Sequence, residues 1–380
     1  METTDKPVIL IVENSIAYTG AFKAVMQTVE DLTEYFHFVF IIPQSSVLNK
    51  QLEEKGINYY RLPFLELSSR LKNILLYFPV LFINSIKLLQ IINKEKVKII
   101  HSNDLYNLAV LLPKLAKPKL KLLTHVRLLP GYIPSPLYKI MVFLHEHISD
   151  GIICVSEAVK KEVKGAKAIV IYDRIPDREK YPYNYLPFDD GGAVSLVYLG
   201  NYIQGKGQDY AIEAFSEAEK LNSGIKLIFI GGDMGLKKNK IYKESLIEKV
   251  KKLGLESKIL FKDFVALPEP ELKKHQVLLN FSDSESFSFS CLEGAYYGLP
   301  VIATNSGGPS EIIDDKYTGL IVKKGNIEEM KEAILRLVID KDMRLNFSRN
   351  ARNFVRTKFS FEKTSLKLKE AYLKLLFLDL

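Results

Sequence analysis

Residues Val277–Ser282 read VLLNFS, and Ser282–Gly308 continue as SDSESFSFSCLEGAYYGLPVIATNSGG. The first run is apolar and has the length of a strand. A serine-rich turn, Ser282 to Ser288, follows it. A helical pattern then runs from Phe289 to Tyr297, Gly298 stops it, and Pro300 opens a second apolar run, Pro300–Gly307. Strand, turn, helix, strand is the crossover unit of a parallel sheet. Neither apolar run alternates cleanly with polar residues, so both read as strands buried on two faces.

The same alternation extends outward in both directions. Before residue 175 the apolar runs are Val8–Glu13, Phe36–Pro43, Lys98–Asn103, Lys121–Arg127, Gly151–Ser156 and Ala168–Asp173. After it come Ser195–Asn201, Lys226–Gly232, Ile259–Phe264, Val277–Ser282, Pro300–Gly307 and Gly319–Lys324. The spacers are long enough for crossover helices, and 380 residues suit two domains. The expected fold class is therefore α/β, with two doubly wound, Rossmann-like domains. Pro176–Gly192 (PDREKYPYNYLPFDDGG) lacks periodicity and is rich in proline, acids and glycine, which is linker chemistry. The expected division is an N-terminal domain over 1–175, a linker over 176–192 and a C-terminal domain over 193–360. A final helix over 361–380 can cross back to the first domain. In such sheets ligands bind at the carboxyl ends of the strands, here expected to face one central cleft.

Composition narrows the class. Hydrophobic residues make up 47%, which excludes a disordered chain. Two cysteines, Cys154 and Cys291, exclude a disulfide scaffold and a multi-cysteine metal site. The polar start METTDKP runs straight into a strand, so no secretory signal is expected. The most apolar stretch, Ile74–Ile86, is shorter than the ~20 residues of a membrane span and is interrupted by Pro79, Asn84 and Ser85. No spanning helix is expected, and the expected location is cytoplasmic. The net charge of +8 is dispersed, and no nucleic-acid module is recognisable, so nucleic acid is not an expected partner. Arg61–Lys98 mixes large apolar residues with Arg61, Arg70, Lys72, Lys87, Lys94, Lys96 and Lys98. It reads either as a helix pair meeting an anionic membrane surface, on the inner face of the plasma membrane, or as core packing with a solvated basic rim.

The strand ends carry the chemistry. Asn14–Gly20 follows the first strand without G-x-G-x-x-G or a P-loop, which disfavours dinucleotide oxidoreductases and P-loop NTPases. Gly231-Gly232-Asp233 reads as a tight turn. In Tyr198–Phe215 the strand ends at Gly200, and Lys206 lies between Gly205 and Gly207, free to reach an anion; the competing reading is a surface lysine in a flexible turn. The N–H groups at the helix start around Ser288 to Cys291 form an anion site. Glu285 before that helix and Glu293 within it can each accept from sugar hydroxyls. Their spacing alone means little, since Glu248/Glu256 and Glu362/Glu370 share it. His101 and His125 lie at strand ends, and Arg127 is a further cation. His145-Glu146-His147 reads as structural, because adjacent helix positions do not face one another. Asp189-Asp190 and Asp314-Asp315 read as solvated turn acids, Cys291 as a small buried residue, and no metal site is expected.

Glu285–Gly308 (ESFSFSCLEGAYYGLPVIATNSGG), followed by Pro309-Ser310-Glu311, resembles the retaining glycosyltransferases of family 4, which have the GT-B fold and the pattern E-x-F-G-x-x-x-x-E-A-x-A-x-G-x-P-V-(I/V)-A-(T/S)-x-x-G-G. The resemblance extends to Gly200-Asn201 through Lys206-Gly207, to Val155–Lys160 (VSEAVK) and to His125. It implies that Glu293 binds the nucleotide ribose, Glu285 the donor sugar and Lys206 the diphosphate. Gly200, Asn201 and the backbone of Phe287, Ser288, Phe289 and Ser290 would line the donor site. His125 would sit near the donor sugar, with Gly20, His101 and Arg127 on the acceptor side. The catalytic set so implied is Lys206, Glu285 and His125. The chain departs from the pattern in four places: Asn201 replaces an arginine, Ser288 replaces a glycine, Thr19-Gly20-Ala21 replaces a Gly-Gly loop, and Asp173-Arg174 replaces Asn-Gly. The implied activity is metal-independent transfer, with retention, from a UDP- or GDP-sugar to a glycan or lipid-linked acceptor, in cell-surface polysaccharide or glycolipid synthesis. No cofactor beyond the nucleotide-sugar substrate is implied. The alternatives are a GT-B nucleotide-sugar epimerase or phosphorylase, and a nucleotide-sugar-binding protein of weakened turnover.

Overall fold

The computed structural model describes residues 6–64, 71–131, 133–176 and 192–377, without the side chains of 71–75. Most of the expected linker, together with Asp189-Asp190 and Arg70, lies outside the described residues, as does the side chain of Lys72. The chain forms two compact units: Met1–Arg174 with Phe361–Leu380, and Ile175–Ser360.

The first unit runs β1 (Val8–Glu13), α1 (Gly20–Leu32), β2 (His37–Pro43), α2 (Asn49–Glu54), β3 (Asn58–Leu62), α3 (Leu71–Lys94), β4 (Ile99–Asn103), α4 (Leu111–Ala116), β5 (Lys121–Val126), α5 (Ser135–Ile148), β6 (Gly151–Cys154), α6 (Glu157–Glu162) and β7 (Ala168–Val170). Its sheet is parallel, in the order β3-β2-β1-β4-β5-β6-β7. Alternate residues of each strand face opposite sides. Ile9, Ile11, Phe38 and Phe40 pack on the α1 side, and Leu10, Val12, Val39 and Ile41 on the α3 side. Both faces are covered, which is why the strands lack polar alternation. The edge strand β3 (NYYRL) escapes a search for apolar runs because four of its five residues keep some exposure.

Arg61–Lys98 is not a helix pair: Arg61 belongs to β3, and α3 continues through Pro79 as a single helix. Its Leu76–Lys94 portion is long and apolar enough to cross a membrane by length and composition, contrary to the reading of Pro79 as an interruption. Its inner side, with Leu88, Ile91 and Ile92, is packed into the sheet core. Ser85 Oγ donates to the carbonyls of Leu81 and Ala109 at 2.9 and 3.0 Å, which removes its polar cost inside the layer.

The second unit runs β8 (Val194–Leu199), α7 (Gln208–Glu219), β9 (Ile225–Ile230), α8 (Lys237–Lys252), β10 (Ile259–Lys262), α9 (Glu269–Leu272), β11 (Val277–Asn280), α10 (Phe289–Tyr296), β12 (Val301–Thr304), α11 (Pro309–Ile312), β13 (Gly319–Val322), α12 (Ile327–Ile339) and α13 (Lys341–Lys358). Its parallel sheet has the order β10-β9-β8-β11-β12-β13. The last helix, α14 (Ser365–Phe377), belongs to the first unit, where Leu368, Tyr372 and Leu375 join the core beside α1. In both sheets the strand order reverses between the first and fourth strands of the unit, β1/β4 and β8/β11. Carboxyl ends at such a switch point leave a crevice for ligands.

Candidate active site

In the second unit the loops after β8 and β11 flank the switch point and are bonded to each other. Asp283 N donates to Gly205 O at 2.8 Å. Tyr198, buried in β8, accepts from Phe281 N at 2.8 Å and donates to the Lys206 carbonyl. Gly207 begins α7 with φ 74°, and a Cβ there would stand 2.0 Å from Phe281 O. Only glycine meets both demands. Gly207→Ala should therefore force the two loops apart and destabilise the unit by about 2–4 kcal/mol, through strain and overpacking. A thermal melt checks this; a melting temperature equal to wild type would show that the loops yield freely.

This stitching aims Lys206 at Glu285. Lys206 Nζ donates to Glu285 Oε1 at 2.8 Å, and Ser282 Oγ donates to the same oxygen at 2.8 Å. Lys206 keeps 24% side-chain exposure and Glu285 keeps 12%, so both remain open to a ligand. The Glu285 backbone is fixed by its N–H to Ser306 O at 2.9 Å and by Gly308 N–H to its carbonyl at 2.8 Å. Gly308 packs so closely that a Cβ would meet Phe287 Cα at 2.3 Å.

Ser288 caps α10 with φ 84°, the left-handed region that costs a non-glycine residue about 1–2 kcal/mol. This is the position at which the family pattern has glycine. The hydroxyl earns its place by accepting from Cys291 N at 3.4 Å and from Asn280 Nδ2 at 3.0 Å. Asn280 Nδ2 also reaches Ser290 Oγ at 3.1 Å. Phe287 is buried edge-on against Phe359 at 5.5 Å, while Phe289 and Ser290 are half-buried. Glu293 is buried within α10. Burial pushes the Cys291 thiol up to about 12, so it stays protonated.

Gly200 and Asn201 follow β8 and are half-buried. Asn201 Oδ1 accepts from Gly232 N at 3.2 Å, and its carbonyl accepts from Gln208 Nε2 at 3.0 Å. A Cβ on Gly231 would lie 2.0 Å from Gly200 O, so the Gly231-Gly232 turn is a close backbone approach. Asn201 thus joins two loops, where the family pattern has a cation.

The first unit gathers a separate polar cluster at the ends of β1, β4 and β5. Arg127, expected from the sequence as a further cation on the acceptor side, is buried. Its Nη1 donates to both oxygens of Asp173 at 2.9 and 2.7 Å, and its Nε to Asn103 Oδ1 at 2.7 Å. Asn103 in turn donates to Glu13. Burial raises the carboxyls of Glu13 and Asp173, and pushes Asp104 up to about 6. The His101 and His125 rings stack at 5.4 Å. Burial, with Arg127 nearby, lowers His101 to about 3 and His125 well below the usual imidazole range, so both are neutral. His101 Nδ1 lies 2.5 Å from Tyr372 OH on α14, and the buried His125 Nε2 has no hydrogen-bond partner. Gly20 is the exposed first residue of α1, capped by Thr19, whose Oγ1 accepts from Phe22 N at 3.2 Å. Ser156 of VSEAVK caps α6 in the same way, accepting from Val159 N at 3.1 Å.

The structure thus brings Lys206 to Glu285 and His101 to His125, and ties Arg127 to Asp173. Arg174, the other half of the departure at Asp173-Arg174, pairs with Asp31 at 2.8 and 2.9 Å. Tyr198, Asn280 and Tyr372 support these groups without having been singled out in the sequence, and Asp173 and Gly308, known there only from the family pattern, support them too. Asn280 alone carried a signal, as the one polar residue ending an otherwise apolar strand. His145 is structural: Nδ1 lies 2.8 Å from Thr124 Oγ1 and Nε2 3.2 Å from Leu105 O. The sequence also holds an Asp-x-Asp triplet, Asp340-Lys341-Asp342, but Asp340 caps α13 by accepting from Met343 N at 2.8 Å. Among the described residues no group of three His, Cys, Asp or Glu is placed to hold a metal ion.

The chain is similar to known glycosyltransferases. The family model described as glycosyl transferases group 1 matches residues 189–354. An uncharacterised glycosyltransferase of Methanocaldococcus jannaschii is 31% identical over 227 residues, 59% of this chain and 59% of that protein. The alpha-1,3/1,6-mannosyltransferase ALG2 of Dictyostelium discoideum is 33% identical over 180 residues, 43% of this chain and 42% of that one. The chain thus spans about half the length of the curated relatives it matches. The crystal structure of Anabaena HepE in complex with UDP-glucose superimposes with a TM-score of 0.80, at 16% identity, over 96% of this chain and 99% of that one. A sucrose-phosphate synthase from Thermosynechococcus elongatus gives 0.78 at 17% identity, over 97% and 99%. The match to the glycosyl transferases group 1 model falls on the second of two doubly wound sheets, and the chain has the GT-B fold.

Proposed function

We propose that this protein transfers a sugar from a nucleotide-sugar to a glycan or lipid-linked acceptor, with retention at the anomeric carbon and without a metal ion. The observation that carries the reading is the Lys206–Glu285 pair beside the capped start of α10, where the loops of the switch-point strands β8 and β11 meet. Cleaving the bond from anomeric carbon to phosphate oxygen builds negative charge on the departing diphosphate. Fixed donors aimed at that charge are usually the largest catalytic contribution. Lys206 and the positive N-terminal end of α10 supply them. Diphosphate draws Lys206 from Glu285, whose freed oxygen then accepts from a hydroxyl of the donor sugar. Glu293 takes the ribose. His125 of the first unit is neutral, and its unpaired Nε2 can offer a hydrogen bond without adding charge. Relatives support the donor class: HepE was crystallised with UDP-glucose, and a Mycobacterium tuberculosis relative is named for its GDP-mannose dependence.

Thermal-shift titration with UDP, GDP and their sugars tests the donor. Ligand at a hundred times Kd should stabilise by about 2.7 kcal/mol, and Glu293→Ala should weaken that shift. No shift with any of them overturns the reading. Turnover that survives EDTA, and a product with the anomeric configuration of the donor, support the finer statement; loss in EDTA, or inversion, removes it. A second reading, binding with weakened turnover, is favoured by Asn201, whose amide bonds Gly232 where the family pattern has a cation. Nucleotide-sugar binding without release of nucleotide across varied acceptors would select it.

A further inference from the structure

We infer that the outer face of the α3, α4 and α5 layer docks the first unit on an anionic lipid bilayer. The inference is independent of the donor site. These three helices cover one face of the first sheet, α4 packing beside both α3 and α5. Their inner residues fill the core, yet their outer residues are not polar. On α3, Phe78, Phe82 and Ile86 follow one another at four-residue steps, exposed at 68%, 59% and 42%. Leu115 on α4 and Ile140 and Phe143 on α5 extend the apolar surface across the layer, each more than half exposed. Large exposed aromatics gathered on neighbouring helices mark an interaction surface rather than ordinary scatter.

Charge identifies what the surface meets. Among the described residues from 76 to 148, the exposed Asp, Glu, Lys and Arg side chains are Lys87, Lys94, Lys96, Lys98, Lys119 and Lys139, all of one sign. Where α3 and α4 end, Lys96, Lys98, Lys117 and Lys119 ring a depression of about 670 Å³ floored by Ile92, Val97 and Leu120. Apolar side chains for the acyl boundary, rimmed by lysines for phosphate headgroups, are the features of a helix layer lying in the membrane interface. Since α3 is packed into the sheet core by Leu88, Ile91 and Ile92, it lies on the bilayer and does not cross it.

The test is flotation of the full chain, without nucleotide, on vesicles of phosphatidylcholine alone or mixed with phosphatidylglycerol. We expect binding to the mixed vesicles, little to the neutral ones, and release in roughly half-molar salt, where the Debye length falls to a few ångströms. Each lysine near an anionic surface strengthens binding about fivefold. The triple variant Lys87→Ala, Lys94→Ala, Lys139→Ala should therefore bind about a hundredfold more weakly. Phe78→Ser, Phe82→Ser, Phe143→Ser should lose binding by about tenfold or more. All six positions are exposed, so both variants should keep the wild-type melting temperature, which confirms folding. Absence of flotation on the anionic vesicles overturns the inference, and so does binding that neither variant changes. A dimer in sedimentation that the serine variant dissociates, with no vesicle binding, would assign the face to a second copy of the chain instead.

Discussion

Lys206→Ala should lower turnover by about a hundred- to a thousandfold, the usual cost of removing one fixed donor from a developing anion. Nucleotide affinity should change far less, because the attraction is greatest when the diphosphate departs and gains its full charge. Loss of the pair itself explains none of this. Lys206 is about one quarter exposed and Glu285 retains its bond from Ser282 at 2.8 Å, so the stability cost should stay near 1 kcal/mol or below. Single-turnover kinetics with saturating donor separate the two effects. A purified variant that transfers at the wild-type rate would remove Lys206 from the reaction.

Stability should collapse on the acid side of pH 6.5. Burial lowers His101 to about 3 and His145 and His275 to about 4, and holds His125 well below the usual imidazole range. In the unfolded chain each titrates near 6.5. Below that pH the unfolded state takes protons that the folded state refuses, so stability falls as pH falls, by about 1.4 kcal/mol per pH unit for each group. Asp104 works in the opposite sense. Its folded carboxyl keeps a proton up to about 6, so it adds stability as pH falls from 6 toward 4. Glu13 and Asp173 act in that direction too. Four histidines outweigh these carboxyls, because their window opens sooner and stays open to the lowest of the four values. Melts from about pH 7.5 to about 4.5 should show a net loss of several kcal/mol. A melting temperature that holds steady across that interval would mean the imidazoles are not buried in solution.

The fold was legible where burial alone dictates residue choice. Runs such as VILIVE and GIICVS have no polar face because helices cover both sides of their sheet. Strand β3 was not, because an edge strand keeps polar residues and mimics a loop. The break read into α3 at Pro79 overstated a local preference that packing on the sheet overrides. At the site, Lys206 and Glu285 were legible because each lies in the loop just after a switch-point strand. Arg127 with Asp173, and His101 with Tyr372, were not: their partners are far apart in the chain and no local pattern marks them. Asn201 reads as a lost cation in the sequence, whereas its Oδ1 has been put to use holding the Gly232 turn.

The first unit is completed only by α14, which is separated from the rest of that unit by the whole of the second. On the ribosome, Phe36 and His101 must therefore wait for Tyr372, the ring that packs at 5.3 Å against one and the hydroxyl that bonds the other, until the intervening unit has been synthesised and can already be folding. The leading part of the chain emerges with its core open along α1, the interval in which a chaperone or a protease would find it.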